Sequence, residues 1–529
     1  MAHRDIPPFR VEHAKNEEKL TTDVIDVTCS PTTSGADSPT LRQLTAEEEK
    51  ILWRKVDLRL MPILTIMYLF CFLDRGNIGN AKLQGLTSQL HLVGDEYNIA
   101  LINVPAMGRR VSKAPASHIA YLNSLQSGLL LKRLRPSRWL PGITIAWGVV
   151  MTMMGIVKSY QQLVGVRICL GIAEAGLFPG IVYYLTLWYP RHMLQYRTGL
   201  FIGSASVAGL GAFSGLLAFG ISFMSGAEGL EGWSWIFIIE GMATVVVGII
   251  ALFVLVDFPD TAKFLTEKER LFIIHKKKYD LSSVGEEERF ALRHIWDAVT
   301  DWQVWMLSLV NMSIIGPLWG ISLFLPSIIQ GWAQASCVLG EFVINYTLCG
   351  APSAIVLLLM AIWSDRIKMR SPFIVACLLM SLIGFAINIT DAPTGAKYFG
   401  TFFCVVGHYA AFPGGITWLS NNMAGQYKRA VGIGLQGGMG MLAGAISSNV
   451  YRTQDAPRYI LGHGIELMFV GLGLVSVPLT VLIYMGINTR RDRLRQELEG
   501  EEGGRKRVQY SVEELRTMGD RAPDFRYTL

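Results

Sequence analysis

Charge is scarce in this chain. Asp, Glu, Lys and Arg together make up 17% of its 529 residues, where a soluble globular protein carries about a quarter. With 51% hydrophobic residues and a mean hydropathy of +0.35, that shortage excludes an ordinary water-soluble globule. Paired cysteines are missing too. The seven thiols, Cys29, Cys71, Cys169, Cys337, Cys349, Cys377 and Cys404, have no paired spacing and fall mostly in apolar stretches. Neither a disulfide framework nor a metal site is supported. Residues 1–45 contain no apolar core and are rich in Thr, Ser and Pro, which predicts a disordered cytosolic tail and excludes a signal peptide. No nucleophile–base pair, metal cluster or phosphate loop stands out, so an enzyme is not expected, and no cofactor is.

The one match to a cofactor motif is "GIGLQG" at 432–437, which fits GxGxxG. A dinucleotide site needs a preceding strand and a βαβ unit, but here a Lys-Arg loop precedes the motif and an apolar helix surrounds it. Close helix packing explains the glycines better: Gly434/Gly438 and Gly440/Gly444 are GxxxG pairs, as are Gly211/Gly215 earlier in the chain. The net charge of +6 does not predict nucleic acid as a partner, because the basic residues lie in loops between apolar tracts, where membrane orientation accounts for them.

Those tracts are what the chain has in abundance. Runs of about 20 apolar residues cross a bilayer core, and eleven are placed near 57–74, 139–157, 161–188, 198–223, 233–257, 302–329, 339–363, 372–390, 398–420, 428–450 and 462–487. One set of loops is basic, with Lys132, Arg133, Arg135 and Arg138, then Arg191 and Arg197, the 258–301 segment, then Arg366, Lys368 and Arg370, and Lys428 with Arg429. The opposite 224–232 loop carries only Glu228 and Glu231. The basic side is therefore predicted to be cytosolic, with both termini on it. Parity then demands a second crossing within 97–131. That stretch holds Arg109, Arg110, Lys113 and two prolines, and its clean remainder, 119–131, is too short to span.

An internal repeat organises the rest. "QYRTGLFIGSASVAG" (195–209) echoes "QYKRAVGIGLQGGMG" (426–440) at a shift of 231 (195 to 426), and "LKRLRPSRW" (131–139) resembles "SDRIKMRSP" (364–372) at 233 (131 to 364). Two matches at nearly one offset predict duplicated halves of about six helices. The predicted layout is a tail at 1–45, a six-helix bundle at 46–257, a cytosolic loop at 258–301, a second bundle at 302–488 and a tail at 489–529.

Charges inside the apolar tracts mark candidate sites. In "RICLGIAEAGLFPG" (167–180), Arg167 and Glu174 are seven residues apart, on nearly one face and about 10.5 Å apart along the helix. A structural ion pair is strained at that separation, and both residues fall well inside the tract. A cation that can hold a carboxylate and an acid that can take up and release a proton, both facing an aqueous pocket, are the expected reading. "DRGNIGNAK" (74–82) ends the first tract with Asp74 beside Arg75; an interfacial pair marking the helix end and a pair facing a cavity both fit. His408 in "VVGHYAAFPGG" is either a hydrogen-bonded core histidine or a substrate contact. Glu240 reads as structural, while Trp147, Asn311 and Tyr183 are candidates to line a cavity.

"LDRGNIGNA" after the first helix, "RICLGIAEAGLFPG" in the fourth and "DFPDTAKFLTEKER" after the sixth resemble the anion:cation symporter family of the major facilitator superfamily. With "YRTQDAPRYILGHG" (451–464) and the terminal "DFRYTL", the chain is similar to its fungal allantoate permease branch, which includes nicotinate and pantothenate permeases. The resemblance covers about 46–529 apart from 103–127. It implies an all-α membrane fold of twelve helices in two six-helix bundles, rocker-switch alternating access and proton-coupled import of a small organic anion by a monomer in the plasma membrane. It assigns proton coupling to Asp74 and Glu174, anion binding to Arg75, Arg167 and, on the reading above, His408, and cytosolic gating to Arg133, Asp365 and Arg366. The departure is helix two, whose 102–127 insert resembles a mis-translated gene segment. The alternatives that follow are a permease inactivated by a broken helix or a transport-incompetent nutrient sensor, the latter disfavoured by short tails.

Overall fold

The protein is described here by a computed structural model covering residues 44–92, 135–174, 176–209, 217, 220–280, 292–332, 339–447, 450–451, 458–500, 514 and 518–529. Helix two of the sequence reading (97–131), with its 102–127 insert, and Arg133 lie outside these residues.

Among the described residues the regular structure is entirely helical. The first group comprises α1 (Ala46–Leu83), α2 (Pro136–Met154), α3 (Tyr160–Glu174), α4 (Leu177–Trp188), α5 (Leu194–Gly209) and α6 (Gly232–Val254). Two polar helices follow, α7 (Glu267–Asp280) and α8 (Leu292–Val299). The second group is α9 (Trp302–Trp332), α10 (Leu339–Ile367), α11 (Ser371–Ile389), α12 (Thr394–Asn422), α13 (Gln426–Ser447) and α14 (Ile460–Gly500). Among the described residues, eight of the eleven expected tracts form helices long and apolar enough to cross a membrane, those of α1, α3 with α4, α6, α9, α11, α12, α13 and α14; the tracts near 139–157, 198–223 and 339–363 are not among them. In hydrocarbon every backbone group must be satisfied internally, which is why such runs fold as helices, and interior prolines at Pro62 of α1, Pro413 of α12 and Pro478 of α14 are tolerated because neighbouring groups can satisfy the freed carbonyls.

Small residues set the helix spacing. A Cβ at Gly148 of α2 would stand 2.9 Å from the Val245 backbone nitrogen on α6, and one at Gly241 would stand 2.6 Å from that of Thr152, so larger side chains would force the two helices apart. The glycines of "GIGLQGGMGMLAG" act in the same way. Gly440 faces Asn311 and Ile315, and Gly444 faces Trp319, all on α9. Across the two groups, α5 lies on α10 and α12, and α4 touches α13. Phe178 stacks on Phe412 with centroids 5.5 Å apart, and Phe72 on Trp319 at 6.3 Å.

The repeated segments occupy matching places at the basic end of the helices. Gln195 and Gln426 stand at the starts of α5 and α13. Two residues further on, Arg197 grips Asp57 through Nε and Nη2, both at 2.9 Å, and Lys428 pairs with Asp301 at 2.5 Å. Each cation thus reaches back to an aspartate of its own group, Asp57 about three turns into α1 and Asp301 immediately before α9. The α7 helix joins this end, through Lys276 on Glu49 and Lys55 on Glu269 at 2.9 Å.

The chain end folds back onto the same face. Asp520 accepts from Lys428 at 2.6 Å and from Gln303 at 2.8 Å, and its carbonyl accepts from Arg491. Phe525 is buried beneath the Arg191 guanidinium, 4.5 Å from the ring centroid. Tyr527 stacks on Tyr484, and Arg370 N donates to the main-chain oxygen of Leu529. Replacing Asp520 by alanine leaves Gln303 and one side of Lys428 short of a partner, so a loss of about 1–3 kcal/mol is expected. Thermal melting of the detergent-purified protein measures it, and an unchanged melting temperature would rule out a stabilising role for this docking.

Candidate functional site

The α1 helix presents Cys71, Asp74 and Asn77 at intervals of three residues, and so on adjoining turns of one face. Each meets a different neighbour. Cys71 Sγ donates to Glu174 Oε1 at 2.9 Å, reaching the end of α3. Asp74 Oδ2 accepts Trp147 Nε1 of α2 at 2.6 Å and Thr244 Oγ1 of α6 at 3.4 Å. Asn77 Nδ2 donates to Glu240 Oε2 on α6. One helix face therefore gathers three carboxyls, Asp74, Glu174 and Glu240, all buried. Arg167 is buried two turns before Glu174 on α3, with 3% of its surface exposed.

Sequence reasoning set Arg167 and Glu174 well inside an apolar tract, and both are buried; for Asp74 it left open an interfacial helix-end pair or a cavity-facing one, and the residue is buried within α1, which continues to Leu83. It did not anticipate that Trp147 is the donor that holds Asp74, or that Glu240 joins the same row through Asn77. Thr244 carried no signal at all. Of Arg75 only the helical backbone is described. Asn311 donates to the Gln436 carbonyl at 2.9 Å, tying α9 to α13, and Tyr183 is buried in α4.

His408 belongs to a separate place in the second group. It is fully buried on α12, with Nδ1 2.8 Å from the Cys404 carbonyl and 3.1 Å from Ser381 Oγ. A proton on Nδ1 given to that carbonyl leaves Nε2 as the bare acceptor, and Nε2 has no hydrogen-bond partner. The Phe385 ring stands 5.9 Å away, nearly edge-on. His408 is thus not brought together with Asp74, Glu174 and Arg167 by any contact described here.

At the basic end, Asp365 accepts the Tyr196 backbone N–H at 2.8 Å, linking α10 to the start of α5 in the other helix group. Its cation is Arg370, at 2.6 Å. Arg370 also donates to Gln195 Oε1 at 2.9 Å and to the Arg191 carbonyl at 3.0 Å, so it bridges both groups. Arg366, the residue singled out from "DRIKMR", is exposed at the end of α10. A small crevice lined by Thr186, Tyr189, Arg191, Lys277, Asn421 and Arg429 opens beside this junction.

This arrangement of buried charge lining helices, with two helix groups latched at one end, suits a carrier that moves one group against the other. Comparison with known proteins agrees. The family model described as Major Facilitator Superfamily matches residues 64–448. An uncharacterized transporter of Schizosaccharomyces pombe is 31% identical over 98% of this chain and 97% of its own length. The high-affinity nicotinic acid transporter of Saccharomyces cerevisiae is 30% identical, covering 84% of this chain and 79% of its own. Among solved structures, the proton:xylose symporter XylE superposes with a TM-score of 0.57 at 15% identity, over 81% of this chain and 95% of XylE. Its likeness speaks for the fold alone. With an all-helical architecture and this coverage, the chain belongs to the major facilitator superfamily of membrane transporters.

Proposed function

We propose that the protein is a proton-coupled transporter that imports a small organic anion, such as nicotinate, pantothenate or allantoate, by alternating access. The observation that carries this reading is the buried trio of Arg167, Glu174 and Asp74 in one helix group. An arginine keeps its charge and can hold a carboxylate in bidentate fashion. Acids within a membrane-spanning helix characteristically mark ion and proton pathways. In this reading Glu174 and Asp74 take up protons from outside, the anion docks near Arg167 and Arg75 with His408 contributing from the other half, and the two helix groups rock. Deprotonation toward the cytosol then releases the cargo. Arg133, Asp365 and Arg366, together with Arg370, form the cytosolic gate. Both chain ends face the cytosol, and the carrier works as a monomer in the plasma membrane.

Similarity to a nicotinic acid transporter supports a monocarboxylate of that size as first choice of cargo. The test is uptake of a labelled carboxylate panel into proteoliposomes under an imposed inside-alkaline gradient, with a neutral sugar as control. Accumulation of one acid that collapses when the gradient is dissipated is the expected result. Equal uptake with and without the gradient would refute coupling, and uptake of the sugar alone would refute anion selectivity. The same assay on a version with an apolar helix two in place of 102–127 tells whether that insert disables transport.

A further inference from the structure

The second helix group holds a titratable side chain that the cycle above leaves unused. Glu466 is fully buried on α14, the seventh residue of a 41-residue helix. Its Oε2 accepts Ser447 Oγ of α13 at 3.2 Å, whereas Oε1 has no hydrogen-bond partner. Oε1 lies directly on the backbone of α9 at Gly320, where it occupies the very space a Cβ would need. Only glycine at 320 lets the carboxyl sit there.

The groups facing Glu466 are few. From α13 it meets Ser447, and from α9 the Gly320 backbone. Cys404 of α12 and Tyr451 beyond the end of α13 are near enough to feel its charge. One turn earlier on α14, His463 accepts or donates at 3.1 Å with the Tyr451 hydroxyl, and its Nε2 is unpartnered. Phe385 stands between His463 and His408, 6.0 and 5.9 Å from their rings. The Lys397 charge reaches His463. Among the described residues no lysine or arginine pairs with Glu466.

An ionised carboxyl buried without a cation is costly, and a bound proton removes that cost. Proton occupancy there has a structural consequence, because Gly320 adjoins Trp319, the α9 residue that stacks on Phe72 of α1 across the two helix groups. From this geometry we infer that Glu466 is a second proton-binding site, seated on α9 at Gly320. One proton joins one carboxylate oxygen, with no co-reactant. The neutral acid rests on α9, and the anion pushes away from it toward Ser447, which shifts Trp319 against Phe72. The transport role rests on the proton-coupled reading above; proton binding itself does not.

The experiment uses the full chain in lipid. Infrared difference spectra across a pH titration should contain a carboxylic-acid C=O band that disappears in Glu466→Gln, persists at a shifted frequency in Glu466→Asp, and moves in Ser447→Ala, which removes the hydroxyl donor. Spectra that are identical in wild type and Glu466→Gln overturn the proposal. With labelled nicotinate as probe, uptake driven by a pH gradient should fall about tenfold in Glu466→Gln while exchange of loaded for external nicotinate stays within about twofold, a tenfold change being about 1.4 kcal/mol. Driven uptake unaffected by loss of the band overturns the coupling. If wild type fails to move nicotinate, the infrared result still decides Glu466, and only the functional reading falls. Should Glu466→Gln not fold, the shifts in Glu466→Asp and Ser447→Ala decide it: the proposal fails if neither variant moves the band.

Discussion

Replacing Glu174 by glutamine is expected to abolish accumulation driven by a pH gradient while leaving counter-exchange largely intact. Glutamine matches glutamate in size, and its amide oxygen can still accept from Cys71 Sγ, which lies 2.9 Å from Glu174 Oε1 in the native site. The contact between α1 and the end of α3 should therefore survive. What is lost is a group that can change charge. Each pH unit across the membrane stores about 1.4 kcal/mol per proton carried, enough for about tenfold accumulation of a cargo moved with one proton. A variant that cannot carry that proton relaxes to an inside-to-outside ratio near unity. Exchange loads cargo in both directions and needs no net proton movement, so it persists. Accumulation by Glu174→Gln equal to that of wild type would assign the residue a purely structural role. Asp74→Asn provides the comparison. Its side chain keeps an oxygen for Trp147 and Thr244, so any loss of driven uptake there also reflects proton handling rather than collapse of the site.

The second large effect is expected at Arg370, where alanine should cost about 3–5 kcal/mol of stability, as breaking a buried ion pair does. Arg370 is 1% exposed and holds Asp365, Gln195, Ser364 and the Arg191 carbonyl at once. Removing the guanidinium leaves Asp365 with the Tyr196 N–H and no cation from this site. It also frees the contact between α10 and the start of α5, so the variant should expose this junction. A cysteine placed at Asn421, beside the crevice, then reacts faster with a polar maleimide. Lysine at 370 should fall between the two, since an ammonium cannot satisfy several acceptors with a fixed planar fork. Arg366→Ala sets the contrast. That side chain is exposed, and its loss should change stability by no more than about 0.5 kcal/mol. Equal melting temperatures for Arg370→Ala and Arg366→Ala would contradict this account of the latch.

Hydropathy is a property of a local window, and so the membrane-spanning character of the chain and the interior placement of Arg167 and Glu174 could be read directly. Heptad spacing on α3 and three-residue spacing on α1 are equally local. The pairing of repeated segments was legible for the same reason: Arg197 and Lys428 are the matched cations of "QYRTG" and "QYKRA", and they do perform matched tasks on Asp57 and Asp301. The glycines of 432–444 were open to a nucleotide-binding reading by pattern alone, and an apolar helical context was enough to prefer packing, as Gly440 and Gly444 against α9 bear out.

Partners were a different matter. Arg366 and Arg370 are four residues apart in one basic motif, and composition treats them alike. Only the turn from α10 into α11 points one outward and carries the other inward to Gln195, a residue 175 positions away in sequence. Glu466, near the start of the last long helix, was not singled out in the sequence, and its burial depends on Gly320 and Ser447 coming from two other helices. Likewise, nothing local in the terminal segment showed that Phe525 and Tyr527 are buried by surfaces that other parts of the chain supply. The length of apolar runs thus indicated which segments are suited to cross a membrane, because the bilayer imposes that demand on each helix separately. Which charge meets which was decided by the folded arrangement, because a buried ion is stabilised by partners that no neighbouring stretch of sequence contains.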